Sequence, residues 1–195
     1  MRIVAGSHRG RAIEAPPGLE VRPTSDRVRE SLFNILAHGK FAADVPLDGA
    51  LVLDAFAGSG ALGLEALSRG AAHAVFLDQA LAALQGIERN VASLKEQARA
   101  TLVQADALKP PLPSKVRGDP APRTLVVLDP PYRSGLAAPA LAALAEAGWL
   151  APGALAAIEL EASEAFALPE GFTRADERRY GKTRIVFARW GTVAG

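Results

Sequence analysis

Residues 53–67 read LDAFAGSGALGLEAL. Inside this stretch Gly58-x-Gly60-x-x-Gly63 has the spacing of a dinucleotide-binding turn. The apolar run 50–53 before it predicts a buried strand, and 61–68 after it predicts a helix. In an open α/β sheet, such a unit sets a ligand at the carboxyl end of the strand. The fingerprint also asks for an acid about twenty residues on, to take the ribose hydroxyls. Asp78 stands there, at the end of the strand-like run 74–77. The glycine pattern is weak evidence alone. With its flanking elements and Asp78 it predicts an adenosine-bearing cofactor.

Outward from this unit the same alternation repeats. Strands are predicted at 50–53, 74–77, 101–104, 125–128 and 154–160, and helices at 61–68, about 80–98 and 138–147. Strands alternating with helices imply a parallel sheet covered on both faces, hence an α/β fold. Two closing strands, about 173–180 and 183–190, are joined at Gly181-Lys182 and predict an antiparallel hairpin. Residues 109–123 hold five prolines and read as a loop. At the N-terminus, runs 2–5 and 11–14 predict a hairpin around a 6–10 turn. Residues 22–26 form a connector in which Thr24 or Ser25 can cap the next helix. Val28, Leu32, Ile35 and Leu36 fall on one face of that helix.

Composition narrows the function. Cysteine is absent, so disulfides, thiolate metal sites and a cysteine nucleophile are excluded. The three histidines, His8, His38 and His73, are too scattered to suggest a metal cluster. MRIVAGSHRGR is too polar for a signal-peptide core, and no apolar run is long enough to cross a bilayer, so a cytoplasmic protein without metal is expected. Nothing demands more than a monomer. The net charge is +1 but unevenly spread. Residues 1–29 carry six arginines against three acids, and 171–195 carry six basic side chains against two acids. Basic ends around an acidic middle suggest a polyanionic partner.

The cofactor's identity turns on charge. In an NAD site the turn and helix dipole meet a pyrophosphate. Here Asp54 stands four residues before Gly58, where a carboxylate would repel phosphate. It suits a cationic ligand such as S-adenosylmethionine, which bears an ammonium and a sulfonium. Asp106, just after the third strand, adds another strand-end acid, suited to an adenine amino group.

A second motif follows the fourth strand: Asp129-Pro130-Pro131-Tyr132. Two prolines give a rigid extended segment with few amide donors. The Asp129 carboxylate and the Pro130 carbonyl can then hold the N–H groups of an exocyclic amine while Tyr132 stacks on its base. Such stacks are worth about 1–3 kcal/mol. Asp129 can also take the proton released.

LDAFAGSG and DPPY resemble the cofactor and catalytic motifs of class I, amino-methylating methyltransferases. With MRIVAGSHRGR, RPTSDRVRESLFNIL and YGKTRIVFARW in this order, nearly the whole chain resembles the RsmD family, bacterial enzymes that methylate the 2-amino group of a guanine in 16S ribosomal RNA. The resemblance implies a Rossmann-like, seven-stranded class I methyltransferase sheet (41–195) with an N-terminal hairpin-and-helix extension (1–40). It implies catalysis at Asp129, Pro130, Pro131 and Tyr132. It implies S-adenosylmethionine contacts at Asp54, Gly58, Gly60, Asp78 and Asp106, joined by the neighbouring Phe56, Ala57, Ser59, Gln79 and Ala107. The partner would be 16S rRNA or the small ribosomal subunit. Basic residues on the extension, the connector and the turns are candidates for RNA contact: Arg2, Arg9, Arg11, Arg22, Arg27, Arg29, Arg133, Lys182 and Arg184. Thr24 is a further candidate for RNA contact and, with Asp26 and Arg27, could close over cofactor and base. Methylation of another base, NAD-dependent oxidoreduction and a non-catalytic RNA-binding role are the alternatives. The last two leave DPPY without a use.

Overall fold

The computed structural model describes residues 1–15, 26–117 and 121–191. Its elements in chain order are α1 Asp26–His38, β1 Leu51–Ala55, α2 Ala61–Ser68, β2 His73–Asp78, α3 Leu81–Leu94, β3 Ala100–Gln104, β4 Arg123–Leu128, α4 Ala137–Glu146, β5 Leu150–Glu161, β6 Phe172–Tyr180 and β7 Thr183–Trp190. The strands form one seven-stranded sheet in the order β3-β2-β1-β4-β5-β7-β6. β1 to β5 pair in parallel, and β5–β7 and β7–β6 are antiparallel. The Rossmann-like sheet and its closing hairpin match the expectation. The order reverses between β1 and β4, which makes their carboxyl ends the natural binding crevice.

Alternation along the strands builds two cores. Val52, Phe76, Val127 and Ala157 face the layer made by α1, α2 and α3. Leu53, Val75, Val126 and Ala156 face α4 on the other side. Covering both faces explains why the central strands read as unbroken apolar runs.

The glycine unit holds the first layer close to the sheet. Gly63 lies inside α2, and a Cβ there would sit 2.3 Å from Cε1 of Phe76 on β2. Asp54 on β1 accepts a 2.8 Å hydrogen bond from the Gly63 N–H. Gly63 therefore sets helix-to-sheet distance.

The N-terminal hairpin is shorter than expected. One antiparallel bridge, Arg2↔Ala12, stands where two strands were predicted. The next backbone donors are diverted: Val4 and Ala5 N–H both donate to the Glu65 carboxylate on α2, at 2.8 and 3.0 Å. Glu65 is fully buried and also pairs with Arg69 at 2.7 Å and Arg29 at 3.7 Å. The arm thus docks on α2 instead of extending a ladder.

Two other boundaries moved. α3 stops at Leu94, not near 98. Lys95 takes a left-handed conformation, and Glu96 N–H closes back on the Val91 carbonyl, an ending that glycine usually signals. β5 starts at Leu150, earlier than 154, because a register shift absorbs the Pro152-Gly153 irregularity and Arg123 N–H bonds the Trp149 carbonyl. The predicted caps Thr24 and Ser25, most of the connector and residues 118–120 of the proline-rich loop lie outside the described residues.

Gly63→Ala should lower the melting temperature by roughly 3–10 °C, since overpacking costs about 1–3 kcal/mol in a chain of this size. Phe76→Leu in the same chain should recover part of the loss. An unchanged melting temperature for Gly63→Ala would mean that the ring yields freely.

Candidate active site

The carboxyl ends of β1 to β5 open into one cleft of about 690 Å3. Each of these strands delivers a carboxylate to it: Asp54 on β1, Asp78 at the end of β2, Asp106 after β3, Asp129 after β4 and Glu159 on β5. Lys182, in the β6–β7 turn, is the one basic side chain lining it among the described residues.

The chain uses part of this acidity to hold itself. Asp78 accepts from the Gly58 N–H at 2.9 Å and the Ala80 N–H at 2.8 Å, fixing the glycine turn to the start of α3. Asp106 accepts from the Leu108 N–H at 2.9 Å. Asp54 is 1% exposed. Burial, with smaller contributions from the nearby charges of Asp129 and Asp78, pushes its pKa well above the usual carboxylate range despite the Gly63 hydrogen bond. The turn itself is tight: Phe56 and Gly58 both have positive φ, 62° and 55°. That conformation is unusual for phenylalanine, and its packing against the α4-side core holds it.

The Asp129–Tyr132 segment is anchored at the far side. Tyr132 Oη donates to Glu159 Oε1 at 2.9 Å and lies 2.9 Å from Thr183 Oγ1 on β7. Burial and the Glu159 charge raise the phenol's pKa, so it is not a proton acceptor near neutrality.

Asp129, Pro130, Pro131 and Tyr132 all line the cleft, as do Asp54, Phe56, Ala57, Gly58, Ser59, Asp78, Gln79, Asp106 and Ala107. Gly60 does not: it is the left-handed N-cap of α2, φ 78°, backed by Ile87. Among the expected RNA contacts, Arg2, Arg9, Arg11, Arg27 and Lys182 are exposed. Arg22 and Thr24 lie outside the described residues. Two expectations are corrected by burial. Arg29 has no exposed surface and serves Asp26, Glu65 and the Arg2 carbonyl. Arg184 is buried, donates to the Glu164 carbonyl at 2.5 Å and sits 3.8 Å from Glu177. Arg133 is exposed but bound to Glu161 through both Nε and Nη2, and those contacts raise its pKa.

Sequence reasoning missed Glu159, Thr183 and Tyr180, together with Met1 and Val28 from the N-terminal segment. Glu159 carried the same signal as Asp54, an acid at the end of an apolar run, but Glu161 and Glu164 nearby obscured it.

The family model described as "Conserved hypothetical protein 95" matches residues 1–189. Ribosomal RNA small subunit methyltransferase D of Escherichia coli is 43% identical over 161 residues, covering 83% of this chain and 75% of that protein. The chain belongs to the RsmD family. It is an S-adenosylmethionine-dependent methyltransferase. An RsmD relative from Haemophilus influenzae, under the same protein name, is 37% identical over 185 residues, covering 93% of this chain and 89% of that one. The solved structure of yhhF from Escherichia coli superposes with TM-score 0.78 at 38% identity, covering 98% of each chain. An RNA methyltransferase from Salinibacter ruber solved with S-adenosyl-L-homocysteine, at 14% identity and TM-score 0.61 over 89% of this chain and 96% of that one, shares the fold.

Asp54 gives this RsmD site a pH signature. Its folded pKa is raised above the ordinary 3.8, so folding favours the protonated acid. The stability it contributes is intact below that ordinary value and is lost as pH rises through the folded pKa. Wild type should therefore lose melting temperature relative to Asp54→Asn as pH rises from 4 toward neutrality. A difference that stays flat across that range would remove the desolvation argument.

Proposed function

We propose that this protein transfers a methyl group from S-adenosylmethionine to the exocyclic 2-amino group of a guanine in 16S rRNA, within the small ribosomal subunit or an assembly intermediate. The observation that carries the reading is the cleft's charge: five strand-end carboxylates against one lysine. That lining is hostile to the pyrophosphate of NAD and complementary to an ammonium and a sulfonium, so the residues fit S-adenosylmethionine. Asp54 and the turn Phe56–Ser59 would hold its amino-acid end, Asp78 its ribose and Asp106 its adenine. When bound, the cofactor supplies an electrophilic methyl group.

The rest is done by the chain. Pro130 and Pro131 offer no amide N–H, so the segment after β4 presents acceptors only. Asp129 and the Pro130 carbonyl accept the two amine N–H groups and turn the nitrogen lone pair outward. Asp129 accepts the proton the amine loses. Positioning of this kind can supply roughly 7–11 kcal/mol of the barrier. Tyr132, its hydroxyl already engaged, offers its ring as a stacking surface. The guanine must leave its own stack to enter the cleft. Exposed Arg2, Arg9, Arg11, Arg27 and Lys182 would grip the surrounding phosphates, giving affinity and register. The names of the RsmD relatives support an rRNA substrate for this chain.

The direct test incubates the protein and labelled cofactor with free 16S rRNA, partial particles and assembled small subunits, then maps the methylated nucleotide. Label on a guanine N2 is expected, and label on adenine would overturn the base assignment. Asp129→Ala should abolish transfer while cofactor affinity stays within a few-fold. Asp78→Ala should weaken cofactor binding in calorimetry, and an unaltered affinity would remove its ribose role.

A further inference from the structure

We infer that Glu159 is the specificity carboxylate that reads the N1–H of the target guanine. The inference rests on the guanine reading above and deepens it.

Position is the first argument. Along the sheet order β3-β2-β1-β4-β5, the cleft carboxylates run Asp106, Asp78, Asp54, Asp129, Glu159. Asp129 is the transfer point. The first three stand on its cofactor side, and Glu159 stands alone among them on the other side. A group there meets the substrate base.

The second argument is rigidity. Glu159 is 5% exposed yet lines the cleft. A carboxylate has no proton to give, so Tyr132 must donate to it at 2.9 Å. The single phenolic proton is then used, and Thr183, 2.9 Å from the same oxygen, is the donor to Tyr132. A directed chain, Thr183 to Tyr132 to Glu159, fixes the carboxylate against the catalytic motif. A carboxylate accepts at about four lone-pair positions, so holding the phenol is compatible with accepting from a base.

The third argument is chemical fit. Guanine presents N1–H directly beside its 2-amino group, two adjacent donors. Adenine presents a bare N1 lone pair beside its amine, and cytosine a bare N3. Two neighbouring carboxylates, Asp129 for the amine and Glu159 for the ring N–H, match guanine. They set a negative charge against a lone pair in either competitor. A buried acid of this kind rejects the wrong base more strongly than it attracts the right one.

The test uses the full chain and small-subunit particles reconstituted with either guanine or 2-aminopurine at the mapped position. 2-Aminopurine keeps the 2-amino group and lacks the N1–H. Wild type should favour guanine in kcat/KM by about 10- to 100-fold, as expected for one hydrogen bond to a charged group. Glu159→Gln, which can donate or accept, should bring the two substrates within about 3-fold while cofactor affinity holds. Glu159→Asp should keep the preference at a lower rate. The ratio is internal to each variant, so partial loss of folded protein cancels. An unchanged preference in Glu159→Gln overturns the inference and leaves the guanine reading standing. Absence of methyl transfer to guanine by wild type overturns that reading instead, and the inference with it.

Discussion

A buried carboxylate at the exit of β1 is the constraint on which the site depends. Asp54 leaves the strand on the α2 side and accepts the Gly63 N–H, one of the four donors that the start of a helix leaves unpaired. The bond draws α2 down until Gly63 meets the Phe76 ring, where no side chain fits. Between β1 and α2 the chain has five residues, 56–60, to turn from strand to helix, and it does so with positive φ at Phe56, Gly58 and Gly60. The strain and the desolvated acid are concentrated where the cofactor's cationic end would sit. A cationic ligand there would favour the ionised carboxylate that burial otherwise disfavours.

Glu65 plays the corresponding role two residues further along α2. It gathers two backbone N–H groups of the N-terminal arm and the guanidinium groups of Arg29 and Arg69 into a buried cluster. Removing one partner of such a cluster strands the others, which makes it a tie between segments rather than a net source of stability. Through it the arm and α1 are seated beside the cleft, so Met1 and Val28 help to line it. At its turn the arm reaches the far ends of α2 and α3, where His8 N–H donates to Ser68 Oγ and Arg11 to the Ser93 carbonyl.

Across the cleft, the antiparallel end of the sheet supports the Asp129–Tyr132 segment. β7 sits beside β5 and brings Thr183 to the Tyr132 hydroxyl, while β5 brings Glu159. Arg133 and Glu161 bind just outside. The parallel half of the sheet thus shapes the glycine-turn side of the cleft, and the hairpin braces the Asp129–Tyr132 side.

Most of the fold and the centre of the site could be read without coordinates. The strand–turn–helix unit at 50–68, Asp78 twenty residues after Gly58, and DPPY at the end of β4 are local patterns whose periodicity and spacing carry their meaning. They determined the α/β sheet and the acids that its parallel strands bring to one cleft. What tertiary structure alone decided was which polar groups are spent on the chain itself. Arg29 and Arg184 look like any surface arginine in the sequence, but burial beside Glu65 and Glu177 turns them inward. Gly60 keeps the fingerprint's spacing, and its left-handed backbone starts α2. Glu159 and Thr183, distant from DPPY in the chain, become its supports because β5 and β7 are neighbours in the sheet. Spacing records what a residue can reach within its own element, whereas desolvation and pairing across strands depend on contacts that exist only once the sheet is assembled.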